Sequence, residues 1–166
     1  MANLRMTRNK VKIIDLIYIG IYILFGGLIC FFYKFSIFPQ KTINTLLLVL
    51  TFGGPISLFW MYYQRFREKL ITLIWFGIGL IQWYILNGLK RNSDFDSAVG
   101  SYADYDKTLI GLVIILTLFR IISLVFTKQE FMVAAWFSPK DDRKLNILDT
   151  VFTFVGFLSL IGLSEI

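Results

Sequence analysis

Long apolar runs separated by short, mostly basic segments set the pattern of this chain. The runs cover 13–33, 43–63, 70–89, 108–127 and 145–163. Each is close to 20 residues, which at about 1.5 Å per residue matches a hydrocarbon layer of about 30 Å. A backbone in lipid must satisfy its own hydrogen bonds, so runs of this length predict helices. The predicted fold class is all-α: a polytopic integral membrane protein, a compact bundle of five transmembrane helices forming a single domain over 1–166. The fifth run contains Asp149, Thr150, Thr153 and Ser159. Four crossings plus one helix at the membrane surface is therefore the alternative.

Two connections differ in character. Residues 90–107 read KRNSDFDSAVGSYADYDK, an acidic, aromatic loop. Residues 128–137 contain FMVAAWF, too short to cross, and with Trp136 predict an interfacial turn of helix ended by Pro139. The first run follows a basic leader, has no small-residue cleavage site and is too long for a signal-peptide core, so it predicts a retained helix.

Basic residues set the expected orientation. With five crossings and a cytoplasmic N-terminus, one side holds Arg5, Arg8, Lys10, Lys12, Arg65, Arg67, Lys69, Lys128, Lys140, Arg143 and Lys144. The other holds Lys34, Lys41, Lys90, Arg91 and Lys107. Eleven against five predicts the N-terminus inside and the C-terminus outside. The net charge of +6 is thus assigned to membrane lipid headgroups and orientation, with no nucleic acid as partner.

Composition strengthens the membrane reading and removes several chemistries. Hydrophobic residues make up 57% of the chain, above the range of ordinary soluble domains. There is no His and one Cys, Cys30. His-based triads, thiolate metal cages and an internal disulfide are excluded, and no cofactor motif is present. The share of Ile, Lys, Asn and Phe is compatible with a bacterial plasma-membrane protein.

Few polar residues interrupt the runs, and they are the candidate sites. Gly53-Gly54-Pro55 falls inside the second run. Pro55 has no N–H and crowds the carbonyl of Thr51, which predicts a kink or unwound stretch. Freed carbonyls there could serve packing alone, or could bind an ion or polar substrate. Gln82 in the third run could hydrogen-bond across helices. Arg120 is near the centre of the fourth run and Asp149 in the same half of the fifth. Arg120 could snorkel to the headgroups, or the two charges could pair and offset each other's desolvation. Asp15, near the start of the first run, predicts a favourable charge at a helix N-terminus.

In the loop, Asp94, Asp96, Asp104 and Asp106 lack EF-hand order, so a solvated loop is expected without a bound metal. With Phe95, Tyr102 and Tyr105 these residues form a candidate docking surface. Three functions follow. The first is an interaction or accessory protein, either a subunit of a membrane complex or a self-protection protein with a partner in the membrane. The second is a homo-oligomeric transporter or channel with a polar path of Gly54, Pro55, Gln82, Arg120 and Asp149. The third is a membrane-embedded enzyme.

Overall fold

The computed structural model describes residues 11–90, 93–97, 100–135, 137–139, 142 and 144–163. Arg5, Arg8, Lys10, Arg91, Trp136, Lys140 and Arg143, which entered the readings above, lie outside the described residues. The chain forms an all-α bundle. Its helices are α1 (Ile13–Lys34), α2 (Gln40–Arg67), α3 (Lys69–Leu89), α4 (Thr108–Thr127) and α5 (Ile147–Gly162). The first four are long and apolar enough to cross a membrane. At 16 residues, α5 is about 24 Å long. In the loop after α3, two short antiparallel strands pair Asp96 with Ser101 and Ser97 with Gly100.

Helix α2 shows how proline is accommodated inside an apolar segment. Its backbone is α-helical over Gln40–Leu48, π-helical over Val49–Gly53, and α-helical again over Gly54–Ser57. A second π-turn, Leu58–Tyr62, leads into a 3-10 end, Tyr63–Arg67. Pro55 cannot donate to Thr51 in an α register or to Leu50 in a π register. Each carbonyl instead has a side-chain hydroxyl of another segment beside it. Thr108 donates to Thr51, its hydroxyl also lying 2.7 Å from the Tyr105 carbonyl, and Tyr22 approaches the Leu50 carbonyl at 3.2 Å. The expected unwound stretch is therefore a π-bulge whose spare acceptors face hydroxyls inside the bundle and not lipid.

The core lies mainly among α2, α3 and α4, where Leu58, Phe59, Tyr62, Trp75, Leu109 and Leu112 are buried. Gly79 permits the close approach of α3 and α4, because a Cβ there would stand 2.9 Å from the Ile110 side chain. Helix α5 runs antiparallel along α4. Phe152 stacks on Phe119 at 4.7 Å, and Leu163 packs at Gly111. It thus follows the bundle lengthwise.

Helix α1 is the outlier. Only Asp15 and Ile29 among its 22 residues are buried. Its apolar positions face outward along most of their length, as lipid permits and water would not.

The segment after α4 departs from the expected interfacial helix. Lys128 takes a left-handed conformation (φ 57°) and closes α4 through its N–H to Leu124. Residues 130–135 carry no helix, and Phe131, Met132 and Val133 are buried. The chain re-enters the bundle here as irregular backbone, which is tolerated where protein supplies the partners. The Met132 N–H donates to Asp149 and the Ala134 N–H to Thr153. The Phe131 carbonyl accepts from Arg67, and the Pro139 carbonyl from Tyr63.

Candidate functional site

Buried polar groups gather in two regions, one at each half of the bundle. The first is the end where α1 begins and α2 finishes. Asp15 is fully buried and accepts four hydrogen bonds. Arg65 donates through Nε at 2.7 Å and Nη2 at 2.5 Å, Tyr62 through its hydroxyl at 2.5 Å, and Lys12 through its backbone N–H at 2.7 Å. A carboxylate bridged to two nitrogens of one guanidinium is the geometry in which a buried pair is best compensated. It ties α1 to the end of α2.

Arg120 and Asp149 lie at this same end without pairing. Arg120 holds Glu130, with Nη2 2.9 Å from Oε1 and Nε 3.0 Å from Oε2, and donates to the Arg67 carbonyl at 2.7 Å. Asp149 is fully buried. Its carboxylate accepts from the backbone N–H groups of Met132 and Asn146, each at 3.0 Å. Asn146 returns a bond to the Asp149 N–H at 2.8 Å, a reciprocal cap at the start of α5. The expected Arg120–Asp149 pair is thereby replaced by two local arrangements that meet the same re-entrant segment. Arg120 gains a counter-ion, and Asp149 is placed where the positive end of a helix stabilises it.

The second region brings Gly54, Pro55 and Gln82 together through Tyr22. The Tyr22 hydroxyl lies 2.5 Å from Gln82 Oε1 and 3.2 Å from the Leu50 carbonyl, the π-register acceptor that Pro55 cannot meet. Gly54 makes room for the ring, since a Cβ at that position would stand 2.7 Å from Tyr22 Cε2. Tyr22 stands between two clefts that flank α1. The cleft toward α3 has a volume of about 410 Å³ and lies among α1, α2 and α3. The other, about 400 Å³, is walled by α1, α2 and Trp75.

The first cleft has uncharged walls, with Ile29, Ile43, Leu47 and Leu86 at its back and Tyr22, Thr51 and Gln82 as polar lining. Its rim residues Ile23 and Ile81 are 57% and 62% exposed, so it opens sideways toward lipid. Gln82 itself is 8% exposed, and its Nε2 has no hydrogen-bond partner among the described residues.

The loop residues are used differently from the expected docking surface. Phe95 is 1% exposed and packs against Tyr33, so it offers no contact to a partner. Asp106 is also buried and lies 3.2 Å from Lys90, whose ammonium is 3.6 Å from Asp104. Asp94 is exposed, and its backbone carbonyl accepts from Asn44. Asp96 is exposed, Tyr105 rests against Phe52, and the Tyr102 side chain lies outside the described residues. Among the described residues, no three acidic or thiol side chains are grouped to hold a metal ion.

Tyr22, Tyr62, Arg65 and Glu130 were missed as partners. Only Asn146-x-x-Asp149, a helix-start spacing, was readable as a local signal. No known protein family matches the chain, and no curated protein or solved structure does so either.

Proposed function

We propose that the chain is a non-catalytic interaction protein of the membrane, an accessory or self-protection component whose working surface is the cleft among α1, α2 and α3. One observation carries this reading. The intramembrane charges Asp15, Arg120 and Asp149 are each engaged in contacts that fix the bundle, while the cleft among α1, α2 and α3 has no charged residue in its described lining and faces lipid. A transport path needs polar groups aligned across the bundle. Here Gln82 and Pro55 belong to one cluster, and Arg120 and Asp149 to another at the opposite half. Catalysis by acid–base chemistry needs a carboxylate free to exchange a proton, and the contacts of Asp15 and Asp149 oppose that use.

Photocrosslinking tests the proposal. A photoreactive residue at Ile81, on the cleft rim, is compared with one at Leu73, on the same helix away from the cleft and 67% exposed. The proposal expects a discrete, saturable adduct from Ile81 and none from Leu73. Equal, unsaturable labelling at both positions, as bulk lipid would give, contradicts it.

A further inference from the structure

The cleft contains one feature that its apolar walls do not require. Tyr22 has a single hydroxyl proton, and the nearer acceptor is Gln82 Oε1. That leaves Gln82 Nε2 as a buried donor on the lining with no acceptor among the described residues. Buried polar groups in folded proteins nearly always have partners, so an orphaned amide on a cavity wall marks the place of an absent one.

We infer that the cleft binds a neutral, long-chain molecule bearing a carbonyl group, which accepts a hydrogen bond from Gln82 Nε2. This rests on the cleft being the working surface. The cleft volume of about 410 Å³ falls in the range of roughly 300–1,000 Å³ that small-molecule sites occupy. Among the described residues no charged side chain lines it, so an ionised group brought inside would be left uncompensated. The exposed rim at Ile23 and Ile81 provides entry from the bilayer.

Depth narrows the class further. Gln82 is three residues past the midpoint of α3, Lys69–Leu89, and so about 5 Å from the bilayer centre. The edge of the hydrocarbon layer, where phospholipid ester carbonyls begin, is about 15 Å from the centre. A phospholipid anchored by its headgroup therefore cannot bring its esters to Gln82. The ligand is a molecule without such an anchor, of the long-chain ketone or quinone kind.

The test uses the full chain in phosphatidylcholine nanodiscs, where bulk phospholipid is a constant competitor. Two probes are compared, a diazirine-bearing long-chain methyl ketone and the matching diazirine alkane, with labelled positions read by peptide mass spectrometry. The ketone should half-saturate labelling of the cleft at a concentration about five- to tenfold below that of the alkane. In Gln82→Met the two should become equal. Ile81→Phe, which narrows the rim at a lipid-exposed position, should weaken both probes and leave their ratio unchanged. Equal binding of the two probes to the unaltered chain, or a ketone preference kept in Gln82→Met, overturns the carbonyl assignment while leaving the cleft as a binding surface. Absence of saturable labelling by either probe overturns the cleft reading itself.

Discussion

Replacing Arg65 by Leu should be among the most damaging single changes in the bundle. Each oxygen of Asp15 accepts one bond from Arg65 and one from elsewhere, Tyr62 in one case and the Lys12 N–H in the other. The substitution deletes two charge-assisted bonds, each contributing roughly 1.5–3 kcal/mol. It also leaves a fully buried carboxylate with no counter-charge in contact, a change that typically costs about 3–5 kcal/mol. A loss of about 4 kcal/mol is therefore expected.

The assay is reversible unfolding in mixed micelles, with the denaturing detergent fraction as the variable. Asp15→Asn combined with Arg65→Leu removes the stranded charge and should recover at least about 1 kcal/mol relative to strict additivity. Arg120→Leu is an internal contrast. Its side chain and that of Glu130 are 32% and 30% exposed, so its loss should be nearer about 1 kcal/mol. An Arg65→Leu loss below about 1 kcal/mol, or strictly additive single and double variants, would refute the idea that a buried, bridged pair holds α1 in place.

Three further outcomes follow from packing and hydrogen bonding. Gly54→Ala pushes a methyl group into the Tyr22 ring and should cost about 1–3 kcal/mol, read in the same unfolding assay, with weaker crosslinking at Ile81 as a second readout. Thr108→Val leaves the Thr51 carbonyl without its hydroxyl, for a loss of about 0.6–1.7 kcal/mol; faster amide exchange over 49–57 should accompany it, and an unchanged rate would count against the π-bulge account. Asn146→Ala removes the cap on α5 and should cost about 1 kcal/mol, whereas Asn146→Ser should retain most of the stability.

The helices were legible because the solvent dictates them: a run long enough to span lipid has no other way to satisfy its backbone. The disturbance at Pro55 was legible for a similar reason, since a missing N–H is a property of one residue. What filled the vacancies was not. Tyr22 and Thr108 lie on other helices, and the rotation of each helix about its own axis decides which residues face Leu50 and Thr51. The Arg120–Asp149 expectation failed on that point. Matching depth is necessary for a pair, but depth says nothing about azimuth, and Asp149 had a nearer partner in Asn146. Glu130 escaped notice because only the left-handed turn at Lys128 returns it to Arg120. Asp15 was read as a favourable charge near a helix start. Its burial against Arg65 arises from the crossing of α1 and α2, which periodicity does not encode.

The central claim is that α1 stands in lipid as a loosely packed wall beside an open, uncharged cleft. Its one cysteine allows a direct measurement. Cys30 is exposed, lies on the cleft lining and is the single cysteine of the chain, so a spin label can be placed there without other substitutions. In nanodiscs the label should be mobile, accessible to molecular oxygen and shielded from a water-soluble nickel chelate. High access to the nickel chelate would mean that this face is bathed in water, and an immobile label shielded from both reagents would mean that the cleft is closed by packed protein. Either result would contradict the account.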